Sequence, residues 1–429
     1  MIRFLYNVLF PLGLILFLPG YLIKLVRRGG YRDKFGQRLG FYDAALRQRL
    51  AVGKRVWIHA VSVGEVRIAL KLSARMKRDD PDLCFALTTT TTTGFQLAVR
   101  HGCTWLEVLY TPLDFWPVMR RAFRVIRPRQ IVLVEAEVWP NMVAFANARG
   151  ISIALVNARL SPRSERRFLR FRFFVAPLFA RLDLVCVQDP NDAPRFIALG
   201  VNPKKVRYTG SVKFDSDDRR EGVSLDESTA LSAEPHGLSA LVLLGGSTHR
   251  GEEKLLGRLV LQLRREFPAL TLFVAPRHTE RVREVRAQLE ELQLRVRLAS
   301  EAGSSQIGGI DCLVLDTTGE LSRWYHVATV VFVGKSFSAR GGQNPIEPIL
   351  AGKPVLFGPH MENFQTLARS LLAHEAAIQV RDETTFREEV ARLLRSPELR
   401  ASLVQRADIV LAPHRGATER TAAFLRTLG

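Results

Sequence analysis

The sequence predicts an α/β protein of two doubly wound units, each with a parallel sheet covered by helices on both faces. Short apolar runs rich in Val, Ile and Leu alternate with helical patterns over most of the chain. A polar stretch without a strand signal, Asp215–Gly237, interrupts this alternation. The length of 429 residues exceeds one ordinary core and suits two domains of roughly 150–200 residues each.

The composition is that of a globular protein with a large positive charge. Hydrophobic residues make up 47% and charged residues 24% of the chain, and the formal net charge is +20. Such a charge suits nucleic acid, anionic lipid or an anionic small substrate. No helix-turn-helix, RRM or zinc pattern is present, so nucleic acid is not an expected partner. The four cysteines form no C-x-x-C pair, which argues against a disulfide framework or structural zinc.

The N-terminal segment predicts a membrane anchor over residues 1–28. Phe4–Ile23 is a run of twenty residues without a formal charge, enough to cover the ~30 Å hydrocarbon core of a bilayer as a helix. Pro11 and Pro19 would kink it, so a shallow or re-entrant anchor is an alternative. A basic collar follows, formed by Lys24, Arg27, Arg28, Arg32, Lys34 and Arg38. The positive-inside tendency then keeps the rest of the chain in the cytoplasm.

Two other interpretations of this segment are a buried core helix and a cleaved signal peptide. A signal peptide needs a charged start and a small-residue cleavage site. Only Arg3 precedes the apolar run, and a basic stretch follows it.

A second stretch, Ser161–Phe179, interleaves arginines with phenylalanines. The five arginines are Arg163, Arg166, Arg167, Arg170 and Arg172. This pattern is typical of a surface that contacts anionic headgroups or an anionic lipid substrate. It is equally typical of a half-buried helix with a solvated basic face.

The apolar runs define the order of the two domains. In the first half they are Arg55–Val61, Leu83–Thr91, Gln130–Glu137, Ile151–Ala158 and Leu182–Asp189. In the second half they are Ala240–Ser247, Leu270–Pro276, Asp311–Asp316, Ala328–Gly334 and Lys353–Gly358. The predicted boundaries are therefore 29–214 for the first domain, 215–237 for a linker and 238–429 for the second domain. Two such Rossmann-like halves predict a cleft, with ligands at the carboxyl ends of the strands.

Three motifs of the first half place charged residues just after strands. Glu65 follows a strand at the start of a helix, where it could accept a proton or simply cap the helix. Glu135 and Glu137 follow an apolar strand, and alternation puts both on one face, where they contact a cationic residue or substrate, or where one belongs to a buried structural pair. Lys213 precedes the linker and could meet a phosphate, or be an ordinary solvated lysine.

The second half has five small polar turns after strands. The turn Gly245–Glu253 offers N–H groups to an anion, and Arg277 and His278 follow the next strand. Thr317–Leu321 and Gly334–Phe337 repeat the pattern. Ala339–Phe364 contains two glycines, then Asn344 before a helix begun by Pro345, and Glu347 placed to bind ribose hydroxyls. Five such turns at one sheet edge predict a ligand site.

Several chemistries are disfavoured by what the sequence lacks. It contains no GxxxxGK[ST] P-loop and no GxSxG nucleophile elbow. It also has no convincing carboxylate cluster for a metal, so neither an obligatory divalent ion nor another cofactor is expected.

Taken together, the motifs resemble those of the 3-deoxy-D-manno-octulosonic acid (Kdo) transferases of Gram-negative bacteria. The motifs are HAVSVGE, EAEVWPN, NARLS, GSVKFD, GGSTHRGEE, APRH and GGQNPIEPILAGKPVLFGPHMENF, and they run from the anchor to about Arg369. The GGxNPxEP portion alone is shared with other two-domain glycosyltransferases. The resemblance implies an inverting, metal-independent enzyme of GT-B-type fold that transfers Kdo from CMP-Kdo to the lipid A precursor lipid IVA. It also implies that the enzyme acts at the inner face of the inner membrane, with acceptor binding in the first domain and CMP-sugar binding in the second.

The resemblance also assigns roles to individual residues. Glu65 becomes the general base, and Glu135 and Lys213 become transition-state stabilisers. The implied CMP contacts are Pro276, Arg277, Thr318, Gly319, Glu320, Asn344, Pro345, Ile346 and Glu347. Position at the same edge adds Ser247, His278, Ser336 and Gly342 as further donor-site candidates. Thr318 departs from the family, which often has methionine there, but a backbone contact would tolerate the change.

Two rival functions share the architecture. One is a membrane-associated transferase that uses a UDP-sugar, which would prefer UDP to CMP. The other is a membrane-tethered, catalytically silent nucleotide-binding module, in which Glu65→Gln would change nothing.

Overall fold

The computed structural model describes residues 3–11, 13, 34–215, 241–301, 309–317 and 320–428. The chain divides into two compact units, Met1–Asp217 with His414–Gly429, and Asp218–Pro413. Most of the predicted anchor, residues 1, 2, 12 and 14–28, lies outside the described residues, as do residues 216–237 of the predicted linker. Within the described residues, no helix is both long enough and apolar enough to cross a membrane.

The first unit is built on a seven-stranded sheet in the order β3-β2-β1-β4-β5-β6-β7, with every neighbouring pair parallel. Its strands are β1 Arg55–His59, β2 Phe85–Thr89, β3 Leu106–Tyr110, β4 Pro128–Val134, β5 Ser152–Ala158, β6 Leu184–Val187 and β7 Val206–Tyr208. Its helices are α1 Phe35–Arg38, α2 Ala44–Ala51, α3 Val63–Asp79, α4 Thr92–Arg100, α5 Trp116–Ile126, α6 Pro140–Asn147, α7 Pro162–Arg170, α8 Arg172–Phe179 and α9 Ala193–Ala198. Residues 3–11 are also helical.

The central strands of this sheet are buried on both faces, as the continuous apolar runs predict. All five residues of β1 are buried, and the Trp57 ring packs edge-on against Phe123 of α5 with centroids 5.2 Å apart. The strand order reverses direction between β1 and β4. In a doubly wound sheet, the loops at this switch point are those that bind ligands.

The second unit repeats the plan with seven parallel strands in the order β10-β11-β9-β8-β12-β13-β14. Its strands are β8 Val242–Thr248, β9 Thr271–Pro276, β10 Val296–Leu298, β11 Cys312–Val314, β12 Val330–Val333, β13 Val355–Phe357 and β14 Ile378–Gln379. Its helices are α10 Glu252–Leu263, α11 Val282–Glu290, α12 Leu321–Tyr325, α13 Ile346–Leu350, α14 Gln365–Ala373, α15 Glu383–Arg395 and α16 Pro397–Leu411. Here the order reverses between β8 and β12.

The last helix, α17 Ala417–Arg426, belongs to the first unit, which differs from the predicted domain 238–429. The Asp215 carboxylate accepts hydrogen bonds from the Gly416 and Thr418 N–H groups, at 2.9 and 2.6 Å. Gln130 donates to the Leu425 carbonyl at 2.8 Å. These contacts join residues that are about two or three hundred positions apart, which is why local sequence patterns do not reveal them.

Replacing Asp215 with alanine should loosen α17. The variant loses both acceptors at the helix N-terminus, and losing such a cap costs about 1–2 kcal/mol. Amide hydrogen exchange in α17 should therefore accelerate by roughly 5–30-fold. Asp82→Ala, at an exposed aspartate of the same unit, is the matched control. Unchanged exchange in α17 would contradict this role of Asp215.

Candidate active site

Glu65 lies in the first turn of α3, and its carboxylate is already engaged there. One oxygen accepts from the Val61 N–H at 2.8 Å and the other from the Ser62 hydroxyl at 2.7 Å, while Ser62 caps the helix by accepting from the Glu65 N–H. The residue is only 7% exposed. Burial raises the pKa of Glu65, and repulsion by Glu135 adds to the effect. Glu65 therefore takes part in the cap of the helix and also has a raised pKa. A raised pKa suits a proton acceptor near neutral pH.

Glu135 lies in a turn and not on the face of a strand, which corrects the prediction from alternation. The strand β4 ends at Val134, and Glu135 has a left-handed backbone with φ of 64° while its N–H donates to the Val156 carbonyl at 3.0 Å. Such a backbone costs a non-glycine residue about 1 kcal/mol or more. The turn places the partly exposed carboxylate 3.7 Å from Nε of Arg159.

Glu137 completes an acidic group with Glu65 and Glu135. Burial raises the pKa of Glu137 to about 7, and repulsion by Glu65 and then by Glu135 contributes. Repulsion within this group therefore adds to burial in raising the pKa of Glu65 and that of Glu137. In the described residues, no three His, Cys, Asp or Glu side chains are arranged to hold a metal ion.

The turn that carries Lys213 is held from two sides. The Asn157 side-chain oxygen accepts from the Val212 N–H at 3.0 Å, and Nδ1 of His414 accepts from the Ser211 N–H at 3.1 Å. Desolvation lowers the pKa of Lys213, although Glu135 opposes this, and Arg159 and Arg67 add to the lowering. Lys213 therefore shares its surroundings with Glu135, so the structure brings all three predicted catalytic residues together.

Asn157 is a residue whose role the sequence reasoning missed. It is fully buried with φ of 52°, and its carbonyl accepts from the Gln188 amide at 2.6 Å. Asn tolerates this left-handed conformation better than most residues. An asparagine near the end of an otherwise apolar strand was the available signal.

In the second unit, one buried carboxylate organises two loops. Glu252, in the first turn of α10, accepts from the N–H groups of His249, Lys335, Ser336 and Phe337, at 2.9, 2.8, 3.1 and 3.1 Å. Glu252 is completely buried. The loop after β8 and the loop after β12 are therefore fixed to one another through this side chain.

The neighbouring glutamate, Glu253, is likewise structural. It is fully buried, accepts from the Thr248 hydroxyl at 3.1 Å and pairs with Arg281 at 2.9 Å. The two glutamates of the GGSTHRGEE motif thus shape the loops from within.

A cavity of about 150 Å³ opens at the carboxyl edge of this sheet. It is lined by Ser247, Ala275, Pro276, Arg277, Thr279, Leu315, Thr317, Leu321 and Trp324. Three predicted donor-site residues are among them, while Glu320 borders the site through a 2.7 Å hydrogen bond from Thr317. Thr318 and Gly319 lie outside the described residues. Two wider hollows elsewhere on the unit contain none of the predicted site residues.

Asn344 orients the start of α13. Its side-chain oxygen accepts from the Ile346 N–H at 3.1 Å, and its amide donates to the Glu347 carboxylate at 3.3 Å. Pro345 and Ile346 are buried, whereas Glu347 remains partly exposed. Of this segment, Glu347 is therefore the acidic side chain available to a ligand's hydroxyl groups.

The further donor-site candidates separate into two kinds. Ser336 is fully buried, and its hydroxyl donates to the Val333 carbonyl and accepts from the Gly358 N–H, so it holds loops together and does not face a ligand. Gly342 has φ of 68°, and a Cβ there would lie 2.4 Å from Sδ of Met361, so glycine is needed for packing. Ser247, which lines the cavity, and His278, which is exposed, remain accessible.

Comparison with known proteins identifies the family of the chain. The family model for 3-deoxy-D-manno-octulosonic-acid transferase (kdotransferase) matches residues 33–216. The 3-deoxy-D-manno-octulosonic acid transferase of Bordetella pertussis is 36% identical over 412 residues, 93% of this chain and 93% of that protein. That of Haemophilus influenzae is 30% identical over 405 residues, 94% of this chain and 92% of that protein.

The fold is also that of known glycosyltransferases. The crystal structure of a glycosyltransferase from Rickettsia africae superposes with a TM-score of 0.55 at 8% identity, over 88% of this chain and 99% of that one. At this identity the likeness concerns the fold alone. The two relatives show that the chain belongs to the Kdo transferase family and is a glycosyltransferase, and the superposed structure shows that its fold is of the GT-B type.

Proposed function

We propose that this enzyme transfers Kdo from CMP-Kdo to lipid IVA with inversion at the anomeric carbon. The observation that carries the proposal is the buried Glu65 carboxylate, with its raised pKa, beside Glu135 and Lys213. Membership of the Kdo transferase family supports the identity of the transferred sugar. No metal cofactor is part of the proposal.

In the proposed reaction, Glu65 takes the proton of the acceptor hydroxyl. The hydroxyl oxygen forms a bond to the anomeric carbon, while the bond from that carbon to the CMP phosphate oxygen breaks and CMP leaves as an anion. Lys213 offsets negative charge on the leaving phosphate or on the sugar carboxylate, and Glu135 stabilises the positive charge of an oxocarbenium-like transition state.

We assign CMP to the second unit. Arg277 at the rim of the cavity can grip the phosphate, and Glu347, oriented by Asn344, can accept hydrogen bonds from ribose hydroxyls. Glu320 lies beside the same cavity through Thr317.

The acceptor side of the proposal depends on exposed aromatic residues in the first unit. Phe171, Phe173 and Phe174 are 51%, 67% and 41% exposed, and the five arginines of Ser161–Phe179 are exposed around them. These three rings lie outside the core, whereas Phe179 of the same stretch is buried and Phe168 and Val175 pack against the core. Arg167 of α7 lies close enough to Glu137 to lower the pKa of that carboxyl, so this surface adjoins the acidic group.

A second apolar surface of the first unit lies on the helix of residues 3–11, which contacts α6. The helix of residues 3–11 exposes Phe4, Leu5, Val8 and Leu9, while Asn7 donates to the Asn141 side chain of α6 at 3.0 Å. Helix α8 also contacts α6. We propose that both surfaces face the cytoplasmic leaflet of the inner membrane, with residues 1–28 as the anchor, and that the arginines hold the phosphates of lipid IVA.

Glu65→Gln tests the base directly. Gln keeps the size of the side chain but cannot take a proton, so turnover of CMP-Kdo and lipid IVA should fall by roughly 10²–10⁴ while CMP binding is retained. Mass spectrometry of the product and isothermal titration with CMP, and with UDP for comparison, measure the two properties. Glu107→Gln, at a surface glutamate paired with Arg49, is the control. Full activity of Glu65→Gln, or a preference for UDP, would contradict the proposal.

The pH dependence of kcat/KM should reveal the acidic group. A base acts only when ionised, so activity falls as the pH falls through its pKa, and burial places this acid limb above the usual carboxyl range. Glu135→Gln removes the carboxylate whose repulsion raises the pKa of Glu65, so the limb should move to lower pH. An acid limb at the same pH in both proteins would show that Glu135 does not raise the pKa of the base.

Removing the exposed aromatic rings should weaken acceptor capture without affecting the donor. In the triple variant Phe171→Ser, Phe173→Ser, Phe174→Ser, KM for lipid IVA in anionic vesicles should rise by roughly a hundredfold or more, since each of the three rings that leaves water stabilises binding by about 1 kcal/mol or more. KM for CMP-Kdo should not change. Ile409→Ser, at a 61% exposed apolar residue of the second unit, is the control. An equal rise in the control would sink the assignment of this surface.

A further inference from the structure

Positively charged and imidazole side chains converge at the carboxyl edge of the second unit. The rings of His249 and His278 meet edge to face with centroids 5.7 Å apart. Lys335, Arg281 and Arg277 lie close enough to His249 to lower the pKa of its imidazole by repulsion. Neither His249 nor Lys335 belongs to the residues assigned to CMP above.

Hydrogen bonds within the protein fix the backbone at His249 and at Lys335. Both N–H groups donate to the Glu252 carboxylate, at 2.9 and 2.8 Å. Lys335 also has a left-handed backbone with φ of 57°, and its carbonyl accepts from the Gly342 N–H at 2.9 Å. One buried carboxylate therefore presents the two side chains at the same edge.

His249 is oriented as a hydrogen-bond donor. Its Nε2 lies 3.2 Å from the side-chain nitrogen of Gln343, and because an amide nitrogen only donates, Nε2 is the acceptor and Nδ1 carries the proton. Burial first, and then Lys335 and the other cations, lower the pKa of His249 to about 4, so the imidazole is neutral at physiological pH. Its Nδ1–H group is a directed donor without a charge of its own.

The positive charge of this cluster is only partly balanced. Arg281 pairs with Glu253 and Glu284, at 2.9 and 3.3 Å. Within the part of the chain that the structure describes, no carboxylate lies within ion-pair distance of Lys335 or Arg277. An oxyanion at this edge would meet a lysine, an arginine and a neutral N–H donor at once.

We propose that His249 and Lys335 form an oxyanion subsite for the donor, which takes either the phosphate of the nucleotide or the carboxylate of its keto-acid sugar. The donor's identity rests on the proposed function, whereas the subsite rests on the side chains themselves. Gln343 positions His249, and Arg277 joins the subsite to the nucleotide cavity. Preorganised donors of this kind stabilise charge that develops on a leaving phosphate.

Titration calorimetry of the full-length protein with three ligands tests the subsite. The ligands are inorganic phosphate, CMP and CMP-Kdo, and the variants are Lys335→Gln and His249→Asn. Loss of one charge-assisted hydrogen bond should weaken binding by roughly 10–100-fold in Lys335→Gln. Lys335→Arg, which keeps the charge, should recover part of the loss and show that the variant loop is folded. Lys254→Gln, at a lysine of α10 paired with Glu291, is the matched control.

The pattern of losses identifies the anion. If both CMP and CMP-Kdo bind more weakly, the subsite holds the phosphate, and if only CMP-Kdo does, it holds the sugar carboxylate. Wild-type affinity of both variants for all three ligands would overturn the subsite while leaving the proposed reaction in place. The opposite result is also possible: the wild-type protein binds inorganic phosphate but neither nucleotide, and Lys335→Gln weakens the binding of phosphate. That result would overturn the proposed reaction and support the subsite.

Discussion

Both candidate sites depend on the same interaction, a glutamate carboxylate that accepts hydrogen bonds at the start of the helix after the unit's first strand. In the first unit Glu65 accepts from its own turn, and in the second Glu252 accepts from two loops. Each satisfies N–H groups that would otherwise be buried without partners. The difference lies in what remains accessible. Glu65 keeps a small exposed fraction and can exchange a proton with a ligand, whereas Glu252 is sealed and can only hold its loops.

The two units carry side chains of opposite charge at the edges of their sheets. The first gathers Glu65, Glu135 and Glu137, so its edge suits proton removal and the stabilisation of positive charge. The second gathers Lys335 and Arg277 around His249, so its edge suits an anion. An acidic nucleotide sugar and a hydroxyl acceptor need these two environments. The overall charge of +20 alone could not have distinguished this arrangement from a basic surface for nucleic acid.

Sequence patterns predicted the sheets well where burial is continuous and failed where it is not. The run that contains Trp57 was recognised because all of its neighbours in the strand are buried. The strand Leu106–Tyr110 was missed because Glu107 reaches the surface to pair with Arg49 and breaks the apolar run. The edge strands Val206–Tyr208, Val296–Leu298 and Ile378–Gln379 are too short to show a period.

The prediction of site residues divides in the same way, between what a local pattern indicates and what depends on distant partners. Placement after a strand made Glu65 and Arg277 candidates, because parallel strands bring their carboxyl ends to one edge, whereas the role predicted for Lys213 came from the family resemblance. Whether a polar side chain in such a loop faces the ligand or the core depends on partners distant in sequence. Ser336 and Glu252 illustrate this, since each bonds loops from other strands.

The site formed by Glu65, Glu135 and Lys213 shows why partners that are distant in sequence matter for the chemistry. Desolvation raises the pKa of Glu65 and lowers that of Lys213, so for both side chains burial disfavours the charged form. Attraction between Lys213 and Glu135 works against this cost, whereas repulsion between Glu65 and Glu135 adds to it. An anionic donor that approached Lys213 would favour its charged form, and departure of the acceptor's proton to Glu65 would relieve the repulsion among the carboxylates. In the proposed reaction, the unfavourable electrostatics of the free site are therefore reduced by the ligand and by the proton transfer to Glu65.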